Sequence, residues 1–246
     1  MLKNFIKGIT SLIYPPICIL CNDHISTNNP DKNFLCAKCR SKIKMNRPPF
    51  CPKCCRPLSE HHNDPICHIC KKQTPYFDFA WAACYYEKPL TTLIHYFKYK
   101  NTLFLHKEFV LLIAKFIKKY NLDIQQFDMI TPIPLFHARF RERGYNQAEL
   151  LASSIAKHYN LPLNKKCISR IKNTKTQTLL GQKERWTNTN KAFRINNSKF
   201  QKDKIKNKSI LLIDDLLTTG ATASACAQVL KNDGAKTVGV LTLAIA

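Results

Sequence analysis

Eight of the chain's cysteines fall in four C-x-x-C pairs, Cys18/Cys21, Cys36/Cys39, Cys51/Cys54 and Cys67/Cys70, and no other feature narrows the possible folds as far. Ten of the twelve cysteines lie before residue 85. Pairs at this density mean either disulfides in a small secreted domain or thiolates gathered around metal. The N-terminus bears on the choice. Phe5, Ile6, Ile9, Leu12 and Ile13 are apolar at helical spacing, and Tyr14-Pro15-Pro16 runs straight into the first pair. A signal peptide needs a longer apolar core and a small-residue cleavage site, so a short amphipathic helix is expected here and metal is favoured over disulfide.

Each half of the cysteine region reads C-x2-C, spacer, C-x2-C, with spacers of fourteen and twelve residues. This is close to the pattern in which two tight knuckles supply four thiolates to a tetrahedral zinc ion. Two structural ions are therefore expected, one for Cys18, Cys21, Cys36 and Cys39 and one for Cys51, Cys54, Cys67 and Cys70. Four thiolates leave no coordination position for water or substrate, so neither ion is expected to be catalytic. A knuckle turn calls for a residue tolerant of positive φ after its second cysteine; Asn22 suits this, Arg40 and Cys55 do not. Cys55 also competes with Cys54 as a ligand, and the Cys51-Pro52-Lys53-Cys54 form favours Cys54. His61 and His68 are expected to be solvated. Spacing alone leaves a cross-braced grouping open.

From about Phe77 the composition changes, which places a domain boundary near residue 76: residues 1–76 for helix and cysteine module, 77–246 for a second domain. Extended segments are expected at 79–86, 128–134, 166–171, 209–214 and 237–245, and helices at 103–120, 146–158 and 222–232. Strands alternating with helices indicate a parallel sheet covered on both faces. Residues 165–208 carry fourteen Lys or Arg against two acids with little periodicity, and read as a long solvated loop. No stretch approaches the roughly 20 apolar residues of a membrane-spanning helix. The net charge of +23 points to an anionic partner, although a Lys- and Asn-rich, Gly-poor composition also follows from an AT-rich genome.

Ser209-Ile210-Leu211-Leu212-Ile213 is a buried strand running into Asp214-Asp215, then a Thr- and Gly-rich turn, then a helix. At the carboxyl end of a parallel strand this arrangement builds a ligand crevice. Thr218, Thr219, Gly220, Ala221 and Thr222 supply backbone N–H groups, hydroxyls and a helix N-terminus, together a nest for phosphate. Two carboxylates beside the nest would repel a bare phosphate; their natural partners are sugar hydroxyls or hydrated magnesium. Phosphate next to a diol is the signature of a ribose 5-phosphate.

Residues 210–222 resemble the phosphoribosyl pyrophosphate (PRPP) motif of type I phosphoribosyltransferases, and nearly the whole chain resembles the ComF family of competence proteins. The resemblance is carried by Cys18 to Cys70, by Leu93-Ile94-His95-Tyr96-Phe97-Lys98-Tyr99-Lys100, and by Pro132-Ile133-Pro134-Leu135 with Arg139, Arg141 and Arg143-Gly144-Tyr145-Asn146-Gln147. It extends through Thr174 to Phe193, with Gln177, Leu180, Glu184-Arg185 and Asn188. It implies a double zinc ribbon followed by a type I phosphoribosyltransferase-like α/β domain, with PRPP and magnesium at the 214–222 site. It further implies that Arg139, Arg141 and Arg143, with Lys175, Gln177 and Arg185 in a flexible loop at 173–190, face the pyrophosphate. Lys175 and Leu179 stand where the family often has Pro and Gly. The implied role is cytoplasmic, at most peripheral to the inner membrane, handling single-stranded DNA with other DNA-uptake proteins. The alternative is a salvage or biosynthetic phosphoribosyltransferase; no element recognising a base or amine is legible, which leaves turnover and its catalytic residues open.

Overall fold

A computed structural model describes residues 17–25, 34–59, 64–172, 192–196 and 203–246. The expected N-terminal helix, His61, Trp186 and Phe200 of the basic segment 165–208, whose rings could stack on bases, and the loop positions Lys175, Gln177 and Arg185 lie outside the described residues. The second domain is built on a four-stranded, all-parallel sheet of order β1-β6-β5-β2, from β1 (Phe79–Tyr85), β2 (Met129–Pro132), β5 (Ser209–Leu217) and β6 (Thr237–Ile245). In β5 the run Ile210–Ile213 is fully buried at every residue, and β6 is buried from Val238 to Ile245. A strand without a polar face must be covered on both sides. Helices α4 (Leu105–Lys119) and α6 (Gln147–Tyr159) pack on each other and on one face, while α7 (Ala221–Asn232) packs on β5 and β6 beside β4 (Phe193–Ile195). Gly239 in β6 makes room for the Phe127 ring, which precedes β2: a Cβ there would come within 2.6 Å of it.

Two sequence expectations change, and a segment to which the sequence assigned no element folds as a helix. The strand expected at 166–171 forms as β3 (Ile168–Arg170), but it pairs antiparallel with β4 in a separate two-stranded sheet. Strand β5 continues three residues beyond Asp214, to Leu217, because Asp214, Leu216 and Leu217 still pair with β6. The segment after Pro134 forms α5 (His137–Arg143), which buries none of its residues and so offered no apolar period to read. Helix α3 (Leu90–Tyr99) buries Leu90, Leu93, Ile94 and Phe97, the i, i+3, i+4, i+7 stripe of a core-facing helix.

The cysteine region, with its short helices α1 (Ala37–Ser41) and α2 (His68–Lys72), docks on the free edge of β1. Met45 bridges Cys84 antiparallel, Asn46 N–H donates to the Ala83 carbonyl at 2.9 Å, and Tyr85 N–H donates to the Lys44 carbonyl at 3.0 Å. An edge that would otherwise present unpaired backbone groups is thus covered. Asn46 is fully buried and its Nδ2 donates to the carbonyls of Cys55 (2.9 Å) and Ala82 (3.2 Å), tying knuckle to sheet. In the first turn of α4, Glu108 is 1% exposed and takes a two-pronged contact from Arg40, with Nη2–Oε1 at 2.8 Å.

Candidate functional site

The eight paired cysteines converge in two groups, Cys18 with Cys21, Cys36 and Cys39, and Cys51 with Cys54, Cys67 and Cys70; within each group the Sγ atoms lie within 4.8 Å of one another. The grouping is sequential and not cross-braced. Four thiolates at that separation repel unless a cation sits among them, and an all-thiolate tetrahedron suits zinc. Cys54 belongs to the second group and Cys55 does not. Cys55 nevertheless adopts φ +59°, matching Asn22 at +60°, against the expectation that only Asn22 suits such a turn. Its backbone is held from two sides, by its own N–H on the Cys51 carbonyl (2.8 Å) and by Asn46 on its carbonyl. Burial pushes its thiol up to about 12, so it stays protonated and packs as an apolar group. His68 is exposed at the start of α2.

The second centre is a cleft of about 540 Å³ at the carboxyl end of the parallel sheet. Strand β5 delivers Asp214 and Asp215, the turn after it delivers Thr218, and the first turn of α7 delivers Thr222. Thr219, Gly220 and Ala221 form the buried back of the turn. There Ala221 N–H donates to Thr219 Oγ1 at 3.4 Å, and Gly220 caps α7 at φ +80°, a conformation a side chain would resist. Asp214 Oδ1 accepts from the Asp215 N–H at 2.9 Å. Burial and then the neighbouring Asp215 push the Asp214 carboxyl up to about 8.

Arg139 and Arg143 of α5 line the opposite wall, whereas Arg141 is exposed and turned away from it. Arg170 of β3, 9% exposed, joins them. Burial, reinforced by Arg143 and Arg139 respectively, holds Arg139 and Arg170 below the ordinary guanidinium range. Cations crowded at some electrostatic cost face a space suited to an anion. Arg143 is aimed by Gln147 Oε1 (3.1 Å) and by the Tyr99 hydroxyl (3.1 Å), and lies 5.0 Å from the Tyr99 ring centroid. Tyr145 donates to the Phe97 carbonyl, and Asn146 donates to the Ile133 carbonyl at 3.0 Å, so the Arg143–Gln147 segment locks α3 against the end of β2.

Sequence reasoning missed Arg170 and the role of α3. Helix α3 places His95, Lys98 and Tyr99 in the cleft, with Tyr86 beside them. His95 and Tyr99 have ring centroids 5.0 Å apart. The available signal was the helical stripe, which buries Leu93, Ile94 and Phe97 and leaves His95, Lys98 and Tyr99 on the other side.

Together these features define a class: a double zinc ribbon joined to a parallel α/β domain with a carboxylate–turn–helix cleft at the carboxyl end of its sheet. Residues 9–71 match the model of the double zinc ribbon domain. The chain is 32% identical over 231 residues to competence protein F of Haemophilus influenzae, spanning 92% of this chain and 96% of that one. It is 30% identical to competence protein ComFC of Bacillus subtilis, spanning 94% and 95%, and 26% identical to DNA utilization protein YhgH of Escherichia coli K12, spanning 94% and 98%. The chain belongs to the competence protein F family. Among solved structures it has a distant likeness to the purine phosphoribosyltransferase of Pyrococcus horikoshii, with a TM-score of 0.33 and 17% identity over 56% of this chain and 70% of that one.

Proposed function

We propose that this chain acts in DNA uptake, binding PRPP with magnesium in the 214–222 cleft and single-stranded DNA on its basic surfaces. The observation that carries the ligand is the juxtaposition of two carboxylates and a Thr-rich turn with three cleft-lining guanidiniums, Arg139, Arg143 and Arg170. Thr218, Thr222 and the turn's N–H groups would take the 5-phosphate, Asp214 and Asp215 the ribose hydroxyls, and the arginines the pyrophosphate. The acids and the pyrophosphate would hold hydrated magnesium, whose chemistry is to neutralise pyrophosphate as a leaving group.

DNA uptake is supported by the names of the relatives, and strand binding by charge. Besides the segment 165–208, a groove of about 800 Å³ between the ribbons and α4 is rimmed by Arg47, Lys115 and Lys119. Phe193, on β4, is 4% exposed and belongs to the core, so charge and not stacking must supply most of the binding. Fluorescence anisotropy with a labelled oligonucleotide tests this. The logarithm of affinity should fall linearly with that of salt, at about −0.7 per phosphate neutralised. Replacing Lys172, Lys175, Lys183 and Arg185 together by Gln should flatten the slope, and binding indifferent to salt would overturn the reading.

A second reading, transfer of the phosphoribosyl group to a nucleobase or amine, draws on the rings of Tyr86, His95 and Tyr99, which face the acids across the cleft. Turnover of radiolabelled PRPP against a nucleobase panel, with and without DNA, separates the two.

A further inference from the structure

We propose that Arg56 is the positioning residue of the phosphate turn and transmits the metal state of the second ribbon to it; only the ligand arm of this inference rests on the reading of the cleft as a PRPP site. Arg56 follows the knuckle of residues 51–55 directly. Cys51 N–H donates to the Arg56 carbonyl at 2.8 Å and Cys55 N–H to the Cys51 carbonyl at 2.8 Å, so the main chain of Arg56 is part of the cysteine turn itself. Its guanidinium leaves the ribbon and crosses to the sheet. There Nη2 donates to the Thr218 carbonyl and Nη1 to the Ala246 carbonyl.

Those two carbonyls sit where the phosphate turn begins. Thr218 follows β5, Ala246 follows β6, and Ala246 N–H donates to the Leu217 carbonyl at 3.0 Å. The planar fork of Arg56 therefore spans the carboxyl ends of two neighbouring strands, which a point charge cannot do. In a trans peptide the carbonyl and the next N–H point in opposite directions. A guanidinium that fixes the Thr218 carbonyl also fixes the direction of the Thr219 N–H, the first donor of the nest. The knuckle that aims Arg56 is shaped by four thiolates within 4.8 Å of one another, an arrangement that opens when no cation balances it. Metal in the second ribbon, the direction of Arg56 and the order of the phosphate turn form one mechanical series.

Amide hydrogen exchange on the full chain without ligand tests this, comparing wild type, Arg56→Gln and Arg56→Lys before and after chelation, with zinc content measured in parallel. Arg56→Gln should keep its zinc, raise exchange at Ala221 and Ala246, whose N–H groups donate to Thr219 Oγ1 and to the Leu217 carbonyl, by about tenfold or more, and weaken Mg·PRPP by a similar factor in calorimetric titration. Arg56→Lys should lie between, and it carries the comparison should the Gln variant not fold. Chelation should raise exchange of the turn in wild type and add nothing in Arg56→Gln, because the transmitting group is gone. Unchanged turn exchange in zinc-replete Arg56→Gln overturns the positioning role. Equal responses of the two proteins to chelation, or equal loss of protection at residues 210–213, overturn the transmission. Wild type that fails to bind PRPP removes the ligand reading alone, since the exchange arms need no ligand.

Discussion

Lys98 and Asp215 form an ion pair inside the cleft, with side chains 18% and 10% exposed. Burial pulls the Lys98 ammonium down, but Asp215 and then Asp214 outweigh it and hold it above its ordinary value. One ammonium thus faces two adjacent carboxylates, and with Asp214 pushed up to about 8 the pair retains a proton near neutrality. The acids of the cleft are balanced by the chain's own lysine.

Lys98→Met should therefore destabilise the chain by about 3 to 5 kcal/mol, the cost of leaving a buried charge without its partner. The sign of the pH dependence follows from the acids. Without the ammonium the folded pKa of Asp214 rises further above the 3.8 of an unperturbed Asp, because Lys98 is what holds it down. The folded state then binds more protons than the unfolded one, so stability is greatest at low pH and is lost as pH rises towards the folded pKa. Urea midpoints should show a larger penalty at pH 8 than at pH 5. Equal penalties would mean that Lys98 acts by packing alone.

Asp214→Asn with Asp215→Asn should abolish calorimetric binding of Mg·PRPP, in a chain that still folds but is less stable because Lys98 loses both acids. Each acid is expected to make charge-assisted bonds worth about 1.5 to 3 kcal/mol, and both are lost together. Unchanged affinity would remove the ribose from this end of the cleft.

Affinity for Mg·PRPP should rise with pH up to about 8 and level off above it. The titratable groups around the Asp214 carboxyl are Asp215, Lys98, Arg170 and the buried Cys226 thiol. The proton held by the acids must leave before sugar hydroxyls and a hydrated cation are received, so the gain approaches about tenfold per pH unit below the pKa. Asp214→Asn should flatten the profile above the titration of PRPP itself. A wild-type profile as flat as the variant's would place no titrating acid in the site.

Metal analysis of protein purified without chelator should give two zinc ions per chain, and Cys55→Ala should leave that value unchanged, since Cys55 stands outside both groups. Cys54→Ser should lower it towards one. A wild-type value near one would mean that one ribbon is degenerate, with the second as the suspect.

Two parts of the molecule were legible in the sequence because their chemistry is local. A C-x-x-C knuckle brings its two sulfurs together within one turn, and the run from Asp214 to Thr222 places acids, turn and helix start consecutively along the chain. Buried strands announce themselves equally well, since Ile210–Ile213 is apolar at every position. Tertiary structure alone decided the rest. Arg170 reaches the cleft because β3 pairs with β4 and not with the parallel sheet. Lys98 reaches Asp215 across 117 positions of sequence because Leu93, Ile94 and Phe97 turn the other side of α3 inward to the core. Arg56 meets Thr218 because Asn46 docks the ribbons on the edge of β1. A lone Lys or Arg carries no periodic signal, and its role depends on which distant carboxylate or carbonyl the packing of apolar residues brings within reach of its charge.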